Sequence, residues 1–193
     1  MALTDTPASH LVSIALLHDQ VYNKKGRISV TSVANADIHD IARCARTFGL
    51  RKFYIVTPIL KQRILIEEII NHWRFGYGHT YNPCRKEAFS LVDPRESLDE
   101  AIEDARNVFG KDPRIVITGA NLTGTLLPAA ELREMICKRE DPYLILFGTG
   151  WGISREVFTK AHYFLAPVRG TDDYNHLSVR SAVAIILDRL LGR

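Results

Sequence analysis

Cysteine is scarce: the 193 residues hold three, Cys44, Cys84 and Cys137, and no two form a CxxC pair. An odd, scattered set builds neither a disulfide framework nor a thiolate site, and it suits a reducing, cytoplasmic setting. No His, Cys and carboxylate cluster has metal-ligand spacing, so no metal is expected. Long apolar runs are missing as well, and no window reaches the roughly 20 residues of a membrane helix. The N-terminal MALTDTPASHLVSIALLHD has only a short apolar stretch and no basic start, unlike a secretory signal. It reads as a loose tail, residues 1–10, running into a strand. Excess charge is small, since 25 Lys and Arg face 22 Asp and Glu for a net +3. That permits an RNA partner without arguing for one. Neither the G-x-x-x-x-G-K-[ST] phosphate loop nor a G-x-G-x-x-G fingerprint opening a long helix occurs.

What is present is alternation. Short apolar runs VSIALL (12–17), KFYIVT (52–57), RIVIT (114–118), YLILF (143–147) and AHYFLAP (161–167) have strand length. RISVTSV (27–33) and AFSLVD (88–93) are weaker strand candidates. Between them lie helical periods. In 37–49, Ile38, Ile41, Ala42, Ala45 and Phe48 share one face and Gly49 closes it. Pro58 marks a second helix, Ser97-Leu-Asp-Glu100 is a capping box for a third ending near Gly110, and further helices fit 128–139 and 178–190. Residues 74–87 read as loop. This order predicts one α/β domain over 11–193, with a mainly parallel sheet covered on both faces. Ligands of such sheets bind beyond the carboxyl ends of the strands. Three segments there stand out: 118–127, 148–154 and 167–178.

The middle one, LFGTGWGIS (146–154), sets Gly148, Gly150 and Gly152 at alternate positions after a buried strand. Its spacing fits neither phosphate loop. It fits either a tight turn with Trp151 packed in the core, or a backbone surface that a flat ligand approaches closely.

Taken together, DIHDIARCARTFG, LILFGTGWGIS and LAPVRG followed by NHLSVRSAVAIIL resemble the three motifs of the SPOUT class of S-adenosylmethionine-dependent RNA methyltransferases. The strings VYNKKG, NADIHDIARCARTFG, YNPCRKEA, FGTGWG and NHLSVRSA are similar to a narrower SPOUT family, found alone or fused to bacterial tRNA guanine-N1 methyltransferase. The resemblance covers nearly the whole chain. It implies a C-terminal trefoil knot, a homodimer whose cofactor sites are completed near the subunit interface, and RNA, most of all tRNA, as partner. A tRNA guanine-N1 methyltransferase-like partner is implied for RNA affinity. The expected cofactor, S-adenosyl-L-methionine, leaves as S-adenosyl-L-homocysteine. Thr118, Gly119 and Ala120 would form one wall of its site. Phe147, Gly148, Thr149, Gly150, Trp151, Gly152 and Ile153 would lie along the adenosine. Leu165, Pro167, Gly170, Asn175, His176, Leu177 and Ser178 would close the third side.

The resemblance also implies the catalytic candidates Arg43, Asp37 and Arg180. Arg43 matches the arginine of the first motif and would orient a ribose 2′-hydroxyl and its phosphate, with Asp37 or a phosphate oxygen accepting the proton. As residues alone, Arg43 and Arg46 also fit a solvated helix face, and Asp37 a helix N-cap. Arg180, at a helix start, opposes the macrodipole and points to an anionic partner. Several motif positions depart from the class: Gly150 replaces a glutamate, Asp37 and His39 an asparagine and a glycine, and Ser178 and Arg180 an asparagine and a serine. The expectation is therefore ribose 2′-O methylation, with base N-methylation or a non-catalytic RNA-binding dimer as alternatives. Trp73, Tyr77, His79 and Tyr81 are expected to pack under their loop rather than stack on bases.

Overall fold

The computed structural model describes residues 7–193. Its centre is a six-stranded sheet of β1 (Val12–Leu17), β4 (Phe53–Val56), β5 (Val92–Arg95), β6 (Arg114–Ile117), β7 (Tyr143–Gly148) and β8 (Tyr163–Phe164), in the order β5-β4-β1-β7-β6-β8. Every pairing in it is parallel. All six residues of β1 are buried, as a strand covered on both faces requires. Their period of two splits the core. Val12, Ile14 and Leu16 point to α1 (Asn35–Thr47), α2 (Leu60–Arg74), α6 (Ala129–Lys138) and α7 (Val179–Leu191), while Ala15 and Leu17 point to α5 (Leu98–Phe109). The edge strand β5 carries Pro94, which only an edge tolerates.

Local signals act where they were read. Ser97 Oγ accepts the Glu100 N–H, and Gly110 ends α5 with φ 69°. Other segments depart from expectation. The expected tail ends in a 3-10 turn, Ala8–Leu11, with Ser9 buried; its residues 1–6 lie outside the described ones. The expected loop 74–87 contains α3 (Tyr77–Tyr81) and α4 (Pro83–Phe89). Asn82 caps α4 by accepting the Arg85 N–H, and Pro83 opens its first turn. Ala88 and Phe89, expected in a strand, close that helix instead, so β5 starts at Val92. Within 27–33 only β3 (Ile28–Ser29) is strand, in a small antiparallel ribbon with β2 (Val21–Tyr22). Among the described residues no helix is long and apolar enough to cross a membrane.

The strand order matters for function. After β5 the chain crosses the sheet to β6, turns back to insert β7 beside β1, then places β8 outside β6. The carboxyl ends of β1, β6 and β7 thereby become neighbours at one edge of the molecule.

Candidate active site

A cavity of about 880 Å³ opens at those strand ends. Its walls are 118–123 after β6, 147–153 after β7, and 165–168 and 175–179 after β8. The three segments singled out in the sequence therefore meet at one place. All expected cofactor-side residues line the cavity except Gly170, which lies outside it in the loop.

The glycine turn is held by the β2–β3 ribbon. Trp151 N–H donates to the Tyr22 carbonyl and Tyr22 N–H to the Gly152 carbonyl, both at 2.8 Å. Gly150 and Gly152 take φ of 60° and 103°, which the turn needs. At Gly150 a Cβ would stand 2.8 Å from the Tyr22 carbonyl oxygen, so a side chain there would push the ribbon away. The N–H groups of Thr149, Trp151 and Gly152 bond to Leu17, Tyr22 and Thr149 carbonyls, which leaves those of Gly150 and Ile153 unbonded among the described residues. Trp151 is 62% exposed at the cavity mouth. Its alternative role as core packing is thereby excluded.

The opposite walls are tied together. Asn175 Nδ2 donates to the Ala120 carbonyl at 2.8 Å. Thr118 Oγ1 donates to the Leu146 carbonyl at 2.9 Å. Ser178 is the N-cap of α7, its Oγ accepting the Ser181 N–H. Three side chains expected to face a ligand thus already brace the loops.

Sequence reasoning missed His18, Tyr22 and Thr31, which also line the cavity. His18 follows β1 directly, and its position at a central strand end was the available signal; nothing marked Thr31. Thr149 Oγ1 donates to the Leu17 carbonyl at 2.9 Å and sits 2.6 Å from Thr31 Oγ1. With its proton used, Thr149 accepts from Thr31, so Thr31 in turn accepts from His18 Nδ1–H at 3.0 Å. His18 Nε2 is then the bare ring nitrogen, buried with no partner among the described residues. Burial holds the imidazole neutral and lowers its pKa from 6.5 to about 4. Between these two values the unfolded chain binds the proton and the folded chain does not, so stability falls as pH drops through that window. Denaturant unfolding at pH 7 and pH 5 is expected to show about 2 kcal/mol of such loss in the wild type that is missing in His18→Asn. Equal pH dependence of the two chains would refute this account of His18.

The catalytic candidates separate. Asp37 lies in the first turn of α1 and lines the cavity. It is not the N-cap, a position held by Ala34. Burial raises its pKa, the nearby Arg180 cation opposes that, and the Asp40 charge adds to it. Arg180 Nε is 3.3 Å from Asp37 Oδ1 and its Nη1 is 3.6 Å from Asp40 Oδ2. The anionic partner expected for Arg180 is thus internal, two carboxylates of α1. Arg43 stands on the exposed side of α1 and does not line the cavity. Arg46 pairs with Glu87 at 2.7 Å. His39 packs edge-on against Trp73 and Phe89, a structural position.

A model of the family described as SAM-dependent RNA methyltransferase matches residues 11–192. A protein of Aquifex aeolicus (strain VF5), described as uncharacterized, is 47% identical over 182 residues, which are 94% of this chain and 89% of that one. A tRNA (guanine-N(1)-)-methyltransferase of Oleidesulfovibrio alaskensis is 43% identical over 178 residues, 92% of this chain but 41% of that enzyme. This chain therefore spans about two fifths of that relative. Among solved structures, a probable methylase family protein from Haemophilus influenzae Rd KW20 superposes with a TM-score of 0.62 at 22% identity, over 94% of this chain and 65% of that one. The SpoU methyltransferase AviRb from Streptomyces viridochromogenes, in complex with the cofactor AdoMet, gives 0.56 at 17% identity, over 97% and 61%. At those identities the likeness is one of fold.

Proposed function

This chain belongs to the SPOUT-class family of SAM-dependent RNA methyltransferases, and from that membership we propose that it methylates tRNA at a ribose 2′-hydroxyl. The observation that carries the site assignment is the convergence of 118–123, 147–153 and 175–179 on one cavity. The cavity suits the cofactor: its volume lies within the roughly 300–1,000 Å³ of small-molecule sites, and Phe147, Ile153 and Leu165 give it apolar walls with few polar anchors. In this reading residues 147–153 run along the adenosine, with Thr118, Gly119, Ala120, Leu165, Pro167 and Asn175 to Ser178 around the rest. When bound, S-adenosylmethionine supplies a methyl group carried on a sulfonium.

The chain's own residues do the rest. Alignment of the nucleophile is the main catalytic task. Asp37 accepts the proton of the attacking hydroxyl, and its raised pKa favours that role. Arg180 holds the Asp37 carboxylate in place. Arg43, always charged and fork-shaped, positions the hydroxyl and its phosphate from outside the cavity wall. Its exposed place on α1 agrees with a homodimer in which each site is completed near the subunit interface. The insertion of β7 beside β1 and the return of the chain through 165–179 support the trefoil knot, and a single domain over 11–193 is part of the same reading. The share of the longer relative that this chain does not span supports a tRNA guanine-N1 methyltransferase-like partner that supplies RNA affinity.

Base N-methylation is the second reading, favoured by the name of that relative and by an acid at the cavity wall. Incubation of the chain with labelled S-adenosylmethionine and unmodified tRNA, then digestion to nucleosides, separates the two. A 2′-O-methylated nucleoside is the expected product. A methylated base would replace the first reading with the second. Cofactor binding without transfer to any RNA would leave a non-catalytic RNA-binding dimer, the outcome that Gly150 in place of the motif glutamate allows.

A further inference from the structure

The segment 71–86 contains four aromatic residues and three Arg or Lys, and no Asp or Glu. The structure divides its aromatics. Trp73 turns inward, stacked on Phe89 with centroids 6.1 Å apart. Phe75, Tyr77 and Tyr81 stand in solvent at 70%, 76% and 73% exposure. This corrects the expectation that the tyrosines pack under a loop. Tyr77 and Tyr81 lie one turn apart on α3, their rings 6.1 Å apart and 26° from parallel. What holds them there is Gly78 on the opposite face. A Cβ on Gly78 would stand 2.7 Å from the Trp73 ring and 3.0 Å from the His72 ring. Without one, α3 is pressed flat on those rings and presents its tyrosines outward on a firm base.

Cations flank this surface. The Arg74 guanidinium lies 5.0 Å from the Phe75 ring centre, and that of Arg85 lies 4.6 Å from the Trp73 ring centre. Arg85 Nε is buried with no hydrogen-bond partner among the described residues. Neither arginine forms a salt bridge among the described residues, although neighbouring Arg46 does. Exposed π-faces beside uncompensated cations match unstacked bases joined by phosphates. A protein partner reading the same patch would have to supply carboxylates to Arg74 and Arg85 and still cover three aromatic rings. Nucleotides supply both chemistries in every repeat. The surface also joins the active site: Trp73 touches His39, which follows Asp37 by two residues on α1.

We infer that Phe75, Tyr77 and Tyr81, with Arg74 and Arg85, form a stacking platform for unpaired nucleotides of the RNA substrate, outside the methyl-transfer cavity. The inference rests on RNA being the substrate. Its test uses the full chain and a fluorescently labelled, unmodified tRNA transcript, with binding read by anisotropy. The Tyr77→Ala/Tyr81→Ala pair is expected to lose about tenfold or more in affinity, while Tyr77→Phe/Tyr81→Phe keeps it. Arg85→Gln is expected to flatten the dependence of log affinity on log salt by about one ion. Calorimetric S-adenosylmethionine binding and the molar mass by light scattering should stay as in the wild type for all three. Wild-type RNA binding that survives the alanine pair unchanged would overturn the platform and leave the RNA reading standing. A wild type that binds no RNA would overturn both. A lower molar mass in the alanine pair would assign the patch to a contact between copies of the chain and overturn the platform.

Discussion

A Gly148→Val chain is expected to fold and to lose S-adenosylmethionine binding. Gly148 is the last residue of β7, and a Cβ there would stand 2.6 Å from Ile153 Cγ1 and 3.1 Å from the Ile153 nitrogen. Neither atom can yield easily. Ile153 is buried, and its neighbours Gly152 and Ser154 are bonded to the β2 side through Tyr22 and Gln20. Valine would therefore displace the whole turn 149–153, which forms one wall of the cavity. Forcing extra carbon into packed structure costs about 1–3 kcal/mol, and a wall that has moved no longer matches the ligand. Together these effects should weaken binding about 100-fold. The β1–β7 ladder upstream of the turn, from Val12–Tyr143 to Leu16–Phe147, does not involve the new side chain, so circular dichroism should show a folded protein. Titration calorimetry with S-adenosylmethionine and S-adenosylhomocysteine provides the measurement. Wild-type affinity in the variant would remove residues 147–153 from the cofactor site and with them the proposed function.

The second large effect is on turnover. Asp37→Asn keeps the size of the side chain and removes its capacity to accept a proton, so methyl transfer should fall by about 10²–10⁴ while S-adenosylmethionine affinity stays within a few-fold. The pH profile carries independent information. Burial raises the Asp37 pKa above its ordinary 3.8. A base works only when deprotonated, so the wild-type rate should decline as pH falls through that raised value. Arg180 opposes the rise by its charge. In Arg180→Gln the acidic limb should therefore move to higher pH. A role for Arg180 in packing alone would lower the rate without moving the limb. An Asp37→Asn chain that transfers methyl at the wild-type rate would place the acceptor elsewhere, a phosphate oxygen of the RNA being the remaining candidate.

These two residues show different degrees of legibility. Gly148 could be singled out from the string itself, because three alternate glycines after a buried strand leave few uses for a backbone. Asp37 could be singled out only through its match to a motif position, and as a residue it fitted an N-cap equally well. The structure excludes the N-cap, which is Ala34, and the placement of α7 brings Arg180 to Asp37 and Asp40 across the helix pair. The reverse holds for Arg43, which matched its motif position better than any other candidate and lies outside the cavity. Thr31 had no local mark and His18 only its place after β1, and their hydroxyl–imidazole chain exists only because β1 and β7 are adjacent.

By itself, then, the sequence determined the alternation of strands and helices, the caps at Ser97 and Gly110, the buried character of β7, and the family. These depend on side-chain period, backbone preference and motif strings, all of which are local along the chain. Tertiary structure alone decided which carboxyl ends are neighbours, that 118–123, 147–153 and 175–179 enclose one cavity, and that Arg180 pairs with Asp37 and Asp40 of α1. It also decided that Trp151, Phe75, Tyr77 and Tyr81 face water. An aromatic side chain has the same local preferences buried or exposed, and only the surfaces packed against its element settle which of the two it becomes.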